Sequence, residues 1–300
     1  MVAPLALIVA LITLLWPAHA WAWGPLAHLE FSSTALQTLS AVSPGLRLLL
    51  AHYSGEFLYG SLAADIIVGK NLARYAVHCH NWNVGFQVLD RSKTDGQRAF
   101  SMGFLAHLAA DTVAHNYYVP YKTVQSFRRR ASGHAYWELR FDQRLSPDLW
   151  RMARRVSHEA FREHDEHLEE CLANSFVIPF GVSKRLFGSL LVAARLKKWQ
   201  RMSEMLASER TLTLGDDEIR DCTSLAVGQI LGMLQNGTSA ECTRADPTGE
   251  RNLSVAKEVR GRLRADHHVT AAVADDFILR ARPAFRAAIH GRLRLPELPS

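Results

Sequence analysis

One stretch, Gln97–Tyr118, restricts the fold more than any other. Phe100, Phe104, Leu105 and Leu108 recur at helical spacing, so the segment predicts a helix with an apolar stripe. His107, Asp111 and His115 follow one another at intervals of four, which places all three on one face of that helix. An ordinary solvent-facing side fits poorly, because Phe104, Leu105, Leu108 and Ala110 surround the row. Imidazoles and a carboxylate in such company call for partners or a metal. His and Asp at i, i+4 have Cβ atoms about 5–6 Å apart and can share one ion. His115 lies on the order of 12 Å from His107 along the axis, too far for the same ion. The row therefore suits two or more ions.

Helical spacing dominates elsewhere too. Leu26–Ser40, Gly55–Val68, Gly133–Gln143, Asp148–Ala173, Val182–Ala207, Asp216–Leu234, Ala256–Ala265 and His268–His290 read as helices, and Arg74–Leu89 as mixed. No run sustains period-2 alternation. Pro120, Pro147, Pro179, Pro247 and Pro283 punctuate the chain, mostly at element ends. The expectation is an all-α, single compact multi-helix bundle. Its 300 residues, 48% of them apolar, are enough for a sizeable core. Asn236–Asn252 is polar and loop-like, and can set off a small C-terminal helical extension over 253–300.

Residues 1–22 read as a targeting segment and not as part of the fold. Leu5–Trp16 is apolar and uncharged, the length of a signal h-region and short for a bilayer span. Ala20-Trp21-Ala22 has the small-x-small form that a signal peptidase cuts after. The expectation is a secreted or periplasmic protein, 23–300, cleaved between Ala22 and Trp23. Because Met1–Pro4 carries no Lys or Arg, an uncleaved anchor is the alternative.

The formal charge of +6 and pI of about 9.3 favour anionic partners: phosphates, nucleic acid or an anionic membrane. None of the four cysteines forms a C-x-x-C pair, which excludes a zinc finger. A pairing among Cys171, Cys222 and Cys242 stays open.

Further candidates for chemistry lie on both sides of the row. His134 and Glu138 repeat the i, i+4 spacing. Asp65 stands alone in an apolar stretch, as a ligand, a cap or an ion-pair partner. His78 and His80 flank Cys79; two histidines at i, i+2 rarely hold one ion from a helix, so one of the pair is the candidate. Cleavage after Ala22 would expose the Trp23 amine, which with its carbonyl oxygen can chelate a dication five residues before His28. Three other features carry weaker alternatives. Tyr117–Tyr121 is either a lipid-facing rim or a loop packed on the core. Ser183–Met202 is basic and amphipathic, for the core or for a membrane surface. His158, Glu159, His164 and His167 read as a solvated charged face.

Trp23, His28, Asp65, His78, His107, Asp111, His115, His134 and Glu138 in this order resemble the zinc-dependent phospholipase C family and its relatives, the single-strand-specific zinc nucleases. The resemblance covers residues 23–138 and implies a compact all-α bundle holding up to three zinc ions. It implies Asp65, His78, His107 and Asp111 at the first ion. Trp23 (amine and carbonyl), His28 and bridging Asp111 would hold the second, and His115, His134 and Glu138 the third. The chain departs from the family pattern in three places. His115 follows Asp111 by four residues and not six, Asn81 replaces an acidic residue, and Ile66 replaces an aromatic one, so choline recognition does not carry over. The implied activity is cleavage of glycerophospholipids at a membrane surface, to diacylglycerol and a phosphorylated head group. Zinc would activate the water and Asp65 would serve as base. The alternatives are a zinc nuclease on single-stranded nucleic acid and an exported zinc-binding protein without turnover.

Overall fold

The computed structural model describes residues 23–66, 78–128, 134–158, 161–172, 180–193, 214–266 and 268–298, without the side chains of 134, 135, 157, 158 and 189–193. Among the described residues the chain is helical and contains no strand, and no helix is long and apolar enough to cross a membrane. The targeting segment and the basic half of Ser183–Met202 lie outside the described residues.

The centre of the bundle is α5 (Asp95–Val113), whose side chains are buried on nearly every face. The row predicted on this helix is therefore interior. Around α5 pack α1 (Pro25–Gln37), α3 (Ser54–Ile66), α4 (Trp82–Asp90) and α11 (Asp216–Asn236). Each start has a local cause. Thr94 caps α5 by accepting from Gln97 N, Asn81 caps α4 by accepting from Asn83 N, and Pro25 opens α1 where no amide donor is needed.

Two glycines set how closely α3 and α5 approach. A Cβ at Gly60 would overlap the carbonyl oxygen of Phe100, and a Cβ at Gly103 would overlap that of Phe57. The backbones therefore touch, and the next turn of each helix carries a site residue: Asp65 on α3 and His107 on α5. We expect Gly60→Ala or Gly103→Ala to force the helices apart, at about 1–3 kcal/mol or more. Thermal melting checks this; a Gly103→Ala protein with an unchanged melting temperature contradicts it.

The predicted helix over Gln97–Tyr118 does not run through unaltered. Ala114–Tyr118 forms a π-helical turn, followed by α6 (Val119–Gln125). Pro120 explains the irregularity: it has no N–H for the carbonyl of Asn116 and its ring crowds that group. Tyr117, Tyr118 and Tyr121 are buried, so this segment is packed core and not a lipid-facing rim.

The expected long helix Asp148–Ala173 is two helices, α8 (Asp148–His158) and α9 (Arg162–Leu172). His164 and His167 are buried, contrary to the solvated face expected of them. His164 stacks on Phe100 with ring centroids 5.2 Å apart, and His167 Nε2 meets the Val88 carbonyl at 3.0 Å. Unforeseen is α2 (Pro44–His52). Of the shorter helices, α7 (His134–Asp142) packs on α1 and α6, and α10 (Phe180–Ala193) packs on α8 and α3. The last helices, α12 (Glu250–Ala265) and α13 (Ala271–Ala287), pack on α6 and the π turn. Asn252 fastens them there, donating to Asn116 Oδ1 (2.8 Å) and Gly291 O (3.1 Å) and accepting from Leu293 N (3.0 Å). All four cysteines are free and buried.

Candidate metal centre

Five side chains from four parts of the chain meet beside α5: His28 from α1, Asp65 from α3, His80 from the turn before α4, and His107 and Asp111 from α5 itself. All are essentially excluded from solvent. The two carboxylates stand among three imidazoles. Asp111 Oδ2 lies 3.2 Å from both His80 Nε2 and His107 Nε2, while its Oδ1 lies 3.4 Å from His28 Nε2. Asp65 faces the same rings, Oδ1 at 3.5 Å from His80 Nε2 and 3.8 Å from His107 Nε2, Oδ2 at 3.9 Å from His28 Nε2. His28 and His107 stack with centroids 3.8 Å apart.

The outer nitrogens decide what the inner ones can offer. His107 Nδ1 is 2.9 Å from the Ser61 carbonyl oxygen, which accepts only, so Nδ1 carries the hydrogen. The Cys79 thiol donates to the Ala64 carbonyl at 3.6 Å, and its sulfur lies 3.2 Å from His80 Nδ1. The Nε2 atoms of His80 and His107 face each other at 3.0 Å. Asp111 Oδ2 lies 3.2 Å from both, so three atoms of metal-ligating type converge on one point. With both nitrogens unprotonated, a cation there would accept a lone pair from each.

Test of fit to zinc is direct. Tetrahedral zinc with N and O ligands at about 2.0–2.2 Å requires ligand–ligand separations of roughly 3.3 Å. Separations of 3.0, 3.2 and 3.2 Å among His80 Nε2, His107 Nε2 and Asp111 Oδ2 match it closely. Neither ring nitrogen of His28 and neither oxygen of Asp111 makes a directed hydrogen bond, so these buried atoms are held without their usual partners. Two overlapping triads, His28–His107–Asp111 and Asp65–His80–His107, bring their ligand atoms within 4.8 Å of one another, as does the adjoining group His78–Cys79–His80.

Protonation states agree. Burial, with the neighbouring His107, lowers the His28 pKa to about 3, against the opposing pull of Asp111 and Asp65. Burial alone would raise Asp111; positive charge on the facing His107, His80 and His28 rings is what holds it well below the usual carboxylate range, and a bound dication would supply the same charge. A neutral imidazole and an ionised carboxylate are the forms that ligate a metal.

The residues expected from the sequence separate into three groups. His28, Asp65, His107 and Asp111 converge. Of the His78/His80 pair it is His80, and not the expected His78, whose ring is turned into the cluster. The His78 Nδ1 accepts from the His80 amide at 3.1 Å, and its ring stands 5.5 Å from the His80 ring. The resemblance, with Asn81 in the place of an acidic residue, points to His78, while the residues by themselves leave the pair open. Trp23 is fully buried: its indole Nε1 donates to the Ala110 carbonyl at 3.1 Å, one residue before Asp111, and its ring stacks on Tyr118. His115 and Glu138 are both buried, but neither joins the two triads. Glu138 sits on α7, which Tyr118 of the π turn contacts by donating to the Trp137 carbonyl at 3.0 Å. The His134 side chain lies outside the described residues.

Sequence reasoning missed Cys79 as the partner of His80, and it missed Asp142. The Asp142 carboxylate accepts from Leu26 N (3.2 Å) and Ala27 N (3.0 Å), and burial raises its pKa to about 7 against those two bonds. Its only signal was position, four residues past Glu138 on the helix that begins at His134.

The arrangement can hold a divalent metal in a dry pocket. Residues 27–179 match the zinc dependent phospholipase C family. No curated protein and no solved structure matches the chain. That span covers just over half of the 300 residues and contains all five clustered ligand candidates, and the chain belongs to the zinc dependent phospholipase C family.

Proposed function

We propose that the protein is a zinc-dependent phosphodiester hydrolase that cleaves glycerophospholipids to diacylglycerol and a phosphorylated head group. The observation that carries this reading is the set of buried atoms of metal-ligating type that face one another: His80 Nε2, His107 Nε2 and Asp111 Oδ2, no more than 3.2 Å apart. His80, His107, Asp65 and Asp111 would hold one zinc. His28, Asp111 and the Trp23 main chain would hold a second, and His115, His134 and Glu138 would hold a third. Bound zinc supplies Lewis-acid activation of water and a clamp for the negative charge that grows on the phosphoryl oxygens.

The chain's own side chains do the rest. Asp111 divides its oxygens between the His28 side and the His80/His107 side, so it spans both halves of the pocket. Ser61 O holds the His107 ring in the ligating tautomer, and Cys79 Sγ lies against the His80 ring. Asp65 stands slightly farther from the rings than Asp111 and would orient the attacking water and take its proton. Export fits the same scheme: cleavage after Ala22 would free the amine of Trp23, whose indole is already anchored beside Asp111.

The test is turnover by purified protein on phosphatidylcholine, phosphatidylethanolamine and single-stranded DNA, with and without chelator. Chelator-sensitive release of diacylglycerol is expected; cleavage of DNA alone would move the assignment to a nuclease, and no turnover would leave a binding protein. Asp65→Asn should keep the fold and lower turnover by at least about a hundredfold, the order of a lost general base. A folded variant with near-normal rate contradicts that role.

A further inference from the structure

Helix α1 lacks a cap of its own. Its N-cap is Gly24, which has no side chain to offer, and yet the amides of Leu26 and Ala27 are buried and satisfied. The acceptor comes from 115 and 116 residues away: the carboxylate of Asp142, at the C-terminal end of α7. The fit leaves no slack, because a Cβ at Gly24 would overlap that carboxylate. On either side of this contact lie site residues. Trp23 directly precedes Gly24. His28 is one turn on, its amide bonded to the Gly24 carbonyl at 3.3 Å. Phe141, next to Asp142, packs on the Trp23 ring with centroids 4.5 Å apart. One carboxylate thus fixes the height and rotation of the turn that delivers His28 to Asp111 and Asp65, and it lies on the same helix as Glu138, one turn away.

We propose that Asp142 is a positioning residue of the metal centre: by bonding the first turn of α1 and seating against Gly24, it sets His28 on the Asp111 side of the pocket. The inference rests on the metal reading above but is separable from it.

The experiment is a zinc titration, zinc alone against a chromophoric chelator, of the full chain in four forms: wild type, Asp142→Asn, His28→Ala and the double variant. Asn keeps one acceptor oxygen and the volume, but turns an amide toward backbone donors. Asp142→Asn is expected to weaken zinc binding by at least about tenfold, the order seen when a partner that orients a ligand is lost. In the His28→Ala background the same change should cost less than about twofold, because its effect runs through that ring. Equal losses in both backgrounds would overturn the proposal, as would unaltered zinc affinity in a folded Asp142→Asn protein. If Asp142→Asn does not fold, Gly24→Ala, which presses on the same carboxylate, takes its place in the cycle with the same two outcomes. Absence of zinc binding by the wild type would instead sink the metal reading itself.

Discussion

Asp111→Asn is expected to abolish tight zinc binding and turnover together while leaving the helices in place. The change keeps the volume and removes one charge from a site where His28, His80 and His107 all approach that carboxylate within 3.4 Å. Loss of one partner from a buried charged set costs about 3–5 kcal/mol, or on the order of 10²–10⁴-fold in affinity. Because Asp111 has an oxygen on each side of the pocket, both halves should lose metal, whereas His28→Ala should spare the His80/His107 half. Elemental analysis of the two purified variants checks this. Full zinc content in Asp111→Asn contradicts the bridging role.

Acid should empty the site in a narrow and unusually low window. Zinc and protons compete for the same nitrogens, so release follows the pKa values of the folded, metal-free site. His28 refuses its proton until about pH 3, well below the 6.5 of a free imidazole, because burial disfavours the charged ring. Asp111 is likewise held below the ordinary carboxylate range. Zinc loss is therefore expected below about pH 5 and not near 6.5. The stability of the metal-free protein carries the same signature with a correction. For His28 the unfolded chain binds the proton first, so its contribution is full above pH 6.5 and is lost as pH falls toward 3. For Asp142 the folded chain binds the proton first, so that contribution is full below 3.8 and is lost as pH rises through about 7. The two oppose each other between 6.5 and 3.8, and the net loss should steepen only below that range. Zinc retained per chain across a pH series reads the first effect, and melting of chelated protein reads the second. Half-release of zinc above pH 6 would contradict the burial argument.

The sequence disclosed the helices and much of the site for a common physical reason: both depend on periodicity. Spacing of four along Gln97–Tyr118 placed His107 and Asp111 on one face, and the apolar neighbours marked that face as interior. What stayed hidden depends on packing between distant segments. The π turn at Ala114–Tyr118 needs the crowding of Pro120 against a particular carbonyl, which a helical pattern with proline near its end leaves undecided. His78 and His80 are equivalent in composition, and only the docking of Cys79 between Ala64 and the His80 ring separates them. Asp142 carries no signal in the sequence beyond its position; its contact exists only because α1 arrives with a glycine at its N-cap. The burial of the α9 histidines is hidden for a related reason. They sit in a highly charged helix, but the face that carries His164 and His167 is the one laid on Phe100 and Val88. Tyr117–Tyr121 is core and not rim because the C-terminal helices α12 and α13 pack on the π turn and α6.

The central claim is that His28, Asp65, His80, His107 and Asp111 surround bound zinc. Anomalous diffraction at the zinc edge, from crystals of the purified protein, tests it most directly. The account predicts a peak between His80 Nε2, His107 Nε2 and Asp111 Oδ2, at about 2.0–2.2 Å from each. An empty pocket in zinc-replete crystals, or zinc bound only at other side chains, would contradict it.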